Sequence, residues 1–216
     1  MSKVLVMGGS RGVGRAICQA LAAEDHQVRS MSRSGDAGLK ENDRIEAFRG
    51  DALDGADTER ALDGVDTVVQ ALGVKASLAM VTSPVTLFSE ATRVLLPAME
   101  KIGVNRLIAV TGFGAGDSSA YINPLQRLPF RVVLGRAYDD KTTQEYLIEK
   151  SAIDWLIVRP GVLTNGARTD RYRILMKPHE WRNGIISRAD VADFIARQCS
   201  KETLGRRKPV LIRCLL

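Results

Sequence analysis

Gly8, Gly12 and Gly14 fall at a G-x-x-x-G-x-G spacing within Met7-Gly8-Gly9-Ser10-Arg11-Gly12-Val13-Gly14. Glycines so placed between a strand and a helix do one kind of chemistry: they hold a phosphate on the backbone. Gly8 lets the chain leave a strand in a tight turn. Gly12 removes the Cβ that would keep a pyrophosphate off the backbone. Gly14 lets the following helix pack close to the strand. Arg11 within the loop and Arg33 further on add charge. A carboxylate at the end of the second strand would bind ribose hydroxyls. This chain has Ser32-Arg33 there instead, and an arginine pairs with a 2′-phosphate that a carboxylate would repel. The pattern favours NADP(H) over NAD(H), with Asp36 just beyond as the contrary sign.

The elements around these residues follow from pattern. Val4-Leu5-Val6-Met7 is a continuous apolar run, which is how a strand buried on both faces reads. A helix follows from Ala16. Further strands are expected at 26–33, 44–49, 66–73, 105–111, 153–159 and 208–213. Helices are expected at 58–62, from Ser83-Pro84 to about Lys101 with Pro97 loosening it, from Phe130 to Lys150, and from Ser187. Ser187 is expected as N-cap with Asp190 completing a capping box. Residues 117–129, with Pro124 and Pro129, read as irregular. Strand and helix alternate without a composition break, so the fold class is α/β: one doubly wound parallel sheet, a Rossmann fold, in a single domain over 1–216. Ligands of such sheets bind at strand C-termini. That places Asp51, which could accept from an adenine amino group or serve a helix cap, and Ala71 and Gly73, small enough for close contact. It also places Thr111, whose hydroxyl could orient a substrate.

These stretches resemble the short-chain dehydrogenase/reductase superfamily. Met7 to Gly14 is similar to its TGxxxGxG loop, with Met7 in place of threonine. Gly50-Asp51-Ala52-Leu53-Asp54, Gly64 to Gly73, Val110-Thr111-Gly112 and Val158-Arg159-Pro160-Gly161 look like the atypical NAD(P)H-binding branch. That branch holds biliverdin-reductase-B-like and flavin-reductase-like proteins and NmrA-like regulators. The resemblance implies that Gly8, Gly9, Ser10, Arg11, Gly12, Val13 and Gly14 cradle the cofactor. It implies that Asp51 and Ala52 flank the adenine and that Ala71, Leu72 and Gly73 line the ribose side. Pro160, Gly161, Val162 and Leu163 would contact the nicotinamide amide. Catalysis in the superfamily uses Ser/Thr, Tyr and Lys in a YxxxK spacing, where the lysine lowers the tyrosine pKa. Thr111 and Lys141 fit, and Lys141 would bond the nicotinamide ribose. The position four before Lys141 is Ala137, and Tyr138 stands three before it. Tyr138 is therefore either the proton donor or a helix-surface tyrosine, with Tyr121 a second candidate.

The implied activity is NADPH-dependent hydride transfer to a planar, anionic acceptor: flavin, tetrapyrrole or quinone. A non-catalytic NmrA-like sensor of NADP(H) is the alternative. The net charge is +6, and from Arg159 onward thirteen Lys and Arg stand against five Asp and Glu. A basic loop around 164–184 is expected to cover the pocket, with Arg168, Arg171 and Arg173 free to meet an anionic substrate. Little aromatic interleaving argues against nucleic acid. Cys18, Cys199 and Cys214 are far apart and read as small buried hydrophobes. With two histidines, a histidine-rich metal site is excluded, and no metal is expected. No apolar run reaches membrane length, and no signal peptide is read at the N-terminus, so a cytoplasmic monomer or homodimer is expected.

Overall fold

The computed structural model describes residues 2–36, 42–74 and 85–213, with the backbone alone over 124–134. Strand β1 (Lys3–Met7) leads through the glycine loop into α1 (Gly12–Ala23) and β2 (Gln27–Ser32). Then come β3 (Ile45–Arg49), α2 (Gly55–Leu62), β4 (Thr67–Gln70), α3 (Leu87–Ile102) and β5 (Arg106–Val110). A 3-10 turn (Gly116–Tyr121) precedes α4 (Pro124–Lys150) and β6 (Asp154–Pro160). The chain closes with β7 (Val162–Thr164), β8 (Tyr172–Leu175), β9 (Ile185–Ser187), α5 (Arg188–Cys199) and β10 (Val210–Arg213).

The main sheet runs β3-β2-β1-β4-β5-β6-β10-β8, parallel throughout except for β8, which lies antiparallel on β10. The short pair β7-β9 stands apart. The strand order reverses between β1 and β4, and that switch point opens a crevice at the strand C-termini. Alternation along β1 divides the core. Val4 and Val6 join one apolar cluster with Ile17, Leu21 and Ile195, under α1 and α5. Leu5 and Met7 join the other with Leu62, Leu95 and Ile148, under α2, α3 and α4. A strand covered on both faces needs apolar residues at every position, which is why β1 reads as an unbroken run.

The doubly wound sheet agrees with its expectation except at β8 (Tyr172–Leu175), an antiparallel strand within the segment 164–184 expected as a loop. The segment 117–129 differs from its expectation, since it forms the 3-10 turn and the first turns of α4. Pro124 sits at the first position of α4, where a missing N–H costs nothing. Helix α3 runs unbroken through Pro97. Its expected start at Ser83-Pro84, and Cys214, lie outside the described residues. Cys18 and Cys199 are buried and unpaired, and burial raises their thiol pKa values to about 11 and about 12. Among the described residues no helix is long and apolar enough to cross a membrane.

Candidate functional site

The glycine loop is shaped by contacts that a side chain would break. Gly8 has φ +89°, and a Cβ there would stand 2.8 Å from the Ala71 carbonyl oxygen. A Cβ on Gly14 would stand 2.2 Å from the Gly8 carbonyl oxygen, so α1 meets the loop backbone to backbone. Gly12 has φ +58° and nothing within 4 Å of where its Cβ would be, so its outer side is open. Gly9 turns inward, where a Cβ would meet the Ser30 Oγ at 2.3 Å. Arg15 donates twice to the Ser10 carbonyl, at 2.9 and 2.6 Å, and braces the loop. Arg11 reaches across to the Gly73 carbonyl at 3.4 Å.

A cavity of about 860 Å³ extends from this loop across the sheet's C-terminal edge. Gly8, Ser10, Arg11, Gly12 and Val13 line one end, with Arg33, Asp51 and Ala52 beside them. Ala71, Leu72 and Gly73 line the middle. Thr111, Tyr138, Lys141 and the run Pro160 to Leu163 line the far end. Gly9 and Gly14 stand behind the wall and shape it. Asp36 is not a lining residue. Asp51 Oδ1 accepts from the Leu53 N–H at 3.0 Å, while Asp54 caps α2 through the Asp57 N–H at 2.8 Å. Asp54, not Asp51, caps α2, and Asp51 is a lining residue of the cavity.

The far end departs from the activated tyrosine of the superfamily. A Cβ on Gly112 would stand 2.6 Å from the Tyr138 phenol oxygen, so Tyr138 leans into the site over that glycine. Burial pushes its pKa up to about 12. Lys141 donates from Nζ to the Val110 carbonyl at 3.2 Å and lies 4.2 Å over the Phe88 ring. Burial lowers its pKa to about 8, against the pull of Glu145 and Asp140. Tyr138 is consequently a protonated donor at neutral pH. Tyr121 is exposed and packs edge-on against Trp181, away from the lining residues.

Three features of this end carry little signal in the sequence. The Thr111 hydroxyl donates to Glu145 Oε1 at 2.6 Å, and Glu145 is buried and ion-paired with fully buried Arg159 at 2.5 Å. Arg159 also meets Asp117 and lies 5.0 Å over the Trp181 ring. Burial works against its charge, and Glu145 and Asp117 outweigh that, so its pKa is raised. The Thr111 hydrogen is therefore committed inward, and its oxygen can only accept from the cavity side. Asp140, one position before Lys141, accepts from the Phe88 and Ser89 N–H groups, at 2.8 Å for the first, and fixes the start of α3 beside the site. Arg188, at the start of α5, lines the cavity.

The basic segment is disposed differently from its expectation. Of residues 164–184 only Asn183 lines the cavity, and Arg168, Arg171 and Arg173 do not. Arg168 is ion-paired with Asp170 at 2.9 Å and Asp193 at 3.0 Å. Asp190 does not complete a capping box. It accepts from Thr169 N and Oγ1 and from Asp170 N, while Ser187 alone caps α5. Carboxylates on α5 thus fasten this segment to the body of the protein. β8 then continues it as a sheet edge, with Arg173 opposite Ile212.

A family model described as NAD(P)H-binding matches residues 8–202. The chain belongs to the NAD(P)H-binding family. This agrees with the atypical short-chain dehydrogenase/reductase pattern of its motifs and with an oxidoreductase fold. Among solved structures similar to this NAD(P)H-binding chain is ChuY of Escherichia coli O157:H7, described as an anaerobilin reductase. It is 27% identical with a TM-score of 0.83, covering 100% of this chain and 98% of that one. A Veillonella parvula short-chain dehydrogenase/reductase solved with NADP has a TM-score of 0.81 at 14% identity, covering 98% and 94%, and shares the fold. A chloroplastic Arabidopsis thaliana protein described as uncharacterized is 27% identical over 208 residues, 93% of this chain and 72% of that one.

Proposed function

We propose that the protein is an NADPH-dependent reductase that transfers hydride to a planar acceptor of the flavin, tetrapyrrole or quinone type. The observation that carries this reading is the continuous cavity running from the glycine loop to Tyr138 and Lys141. Its shape suits an extended dinucleotide with an acceptor beyond it. The loop fits phosphates, since Gly12 leaves its outer side open at the start of α1. Arg33 is exposed at the cavity and makes no hydrogen bond or ion pair among the described residues. A 2′-phosphate there would gain a charged partner. The likeness to ChuY, described as an anaerobilin reductase, supports the tetrapyrrole among these candidates.

Bound NADPH supplies the hydride, and the acceptor takes up one proton to complete a two-electron reduction. Lys141 holds the β5 end through Val110 and brings a positive charge beside the site. Tyr138, protonated at neutral pH, donates a hydrogen bond, and its proton can be replaced from solvent if it is used. Thr111 accepts but does not donate, so it gives no support to a ketone oxygen gaining charge. That polarity leaves Tyr138 or water as the source of the acceptor's proton.

The test is NADPH oxidation with flavin mononucleotide, biliverdin and a quinone series. Turnover on one of them is expected. Tight NADPH binding with no turnover on any would sink the reductase reading. It would favour an NADP(H) sensor, which the unactivated Tyr138 also suits.

A further inference from the structure

We propose that Arg188 is the specificity residue of the acceptor site, and that it pairs with a carboxylate on the acceptor. The inference rests on the reductase reading for the identity of that ligand as an acceptor. Among the described residues the cavity is lined by Arg11, Arg33, Lys141 and Arg188, against the single carboxylate Asp51. Arg11 and Arg33 stand with Asp51 at the glycine-loop end. Lys141 donates to Val110 where β5 stops, and Arg188 donates to Leu163 in β7, three residues past the end of β6, at the start of the helix that packs on α1.

Arg188 is half-buried. Its Nη1 donates to Asn165 Oδ1 at 2.7 Å and to the Leu163 carbonyl at 3.5 Å. Both acceptors are neutral, and no ion pair with a carboxylate is formed among the described residues. The contrast with nearby arginines is informative. Arg159 is neutralised by Glu145 and Asp117, and Arg168 by Asp170 and Asp193. Arg188 is held in place by two neutral groups, with its charge left to the cavity.

A planar acceptor entering beside Arg188 would strip water from that charge. A neutral acceptor would leave the guanidinium desolvated without compensation, which costs affinity. A carboxylate would restore the lost interaction, and the planar guanidinium can meet it with paired N–H donors. Selection therefore comes from a penalty on neutral ligands as well as a gain for anionic ones. The anion-binding role expected for Arg168, Arg171 and Arg173 moves to Arg188, which stands at the cavity where they do not.

The experiment titrates biliverdin, a dicarboxylate, and its dimethyl ester into NADP-loaded protein, followed by absorbance. The native chain should bind the diacid about ten- to a hundredfold tighter than the ester, the range for losing one charged hydrogen-bonded pair. Arg188→Gln should abolish that preference, Arg188→Lys should keep part of it, and NADPH affinity should be the same in all three. Equal binding of diacid and ester by the native chain overturns the proposal without any variant. So does a fall in NADPH affinity in Arg188→Gln. Arg188-dependent diacid binding without NADPH oxidation upholds the carboxylate site and overturns the reductase reading. NADPH oxidation with a diacid preference that survives Arg188→Gln does the reverse.

Discussion

Replacing Gly12, Gly14 and Gly64 by alanine separates a ligand cradle from a mere turn. Gly12 and Gly64 share a left-handed backbone, φ +58° and +67°, and neither has an atom within 4 Å of the point where a Cβ would stand. Alanine in that region costs about 1–2 kcal/mol at each. For a domain of this size, 1 kcal/mol lowers Tm by roughly 2–4 °C. Both variants should therefore melt about 2–8 °C below the native chain. Their NADPH affinities should differ. Gly12 lines the cavity and Gly64 does not. Losing one charged N–H bond to phosphate weakens binding by about ten- to a hundredfold, so Gly12→Ala should fall by that much and Gly64→Ala by nothing. Gly14→Ala adds a clash, since its Cβ would stand 2.2 Å from the Gly8 carbonyl oxygen. Neither partner is a flexible side chain, so α1 and the loop must move apart, an overpacking cost of about 1–3 kcal/mol or more. Gly14→Ala should lose both stability and NADPH affinity. Thermal melts with fluorescence titration of NADPH read all three. Native-like NADPH affinity in Gly12→Ala, or equal loss in Gly64→Ala, would refute the cradle.

Arg159→Met leaves the Glu145 charge buried and should cost about 3–5 kcal/mol in urea unfolding, with much of it recovered by adding Glu145→Met. A single variant within about 1 kcal/mol of native would contradict the network. Lys141 has its pKa lowered to about 8 in the folded chain from an ordinary 10.5. Between those values the unfolded chain binds more protons, so this group's contribution to stability rises as pH climbs from about 8 towards 10.5. Cys18 and Cys199, with raised values, act in the opposite direction in alkali, so the comparison is made against Lys141→Met. That variant should gain on the native chain at pH 7 and lose the advantage by pH 10, and a gap independent of pH would rule out the buried ammonium.

The cofactor end was legible because glycine is irreplaceable there. Gly8 and Gly14 each meet backbone where a Cβ would stand, and no other residue type signals that so directly. The apolar run of β1 was legible because both faces are covered. The end at Thr111 and Lys141 was opaque for a physical reason. Glu145 is a polar residue in mid-helix, and its importance appears only when Arg159 and Thr111 are brought to it by β6 and β5. Arg188 reads as an ordinary first-turn residue, 155 positions after Arg33, and the fold alone puts both on one cavity. The basic run from Arg168 reads as a free cover, because the carboxylates that hold it, Asp190 and Asp193, lie about twenty residues on, across two strands and a 3-10 turn. Residues 117–129 misled because proline marks a break in sequence, yet Pro124 occupies a helix position that tolerates it.

An NADP(H) cradle read by arginine stands or falls on parallel titration of NADPH and NADH into the native chain and Arg33→Ala. The native chain should bind NADPH at least about tenfold more tightly than NADH, a margin set by one charged contact to the 2′-phosphate. Arg33→Ala should lose most of that margin while NADH binding stays unchanged. Equal affinity for the two cofactors in the native chain, or a margin that survives Arg33→Ala intact, would contradict a 2′-phosphate contact at Arg33.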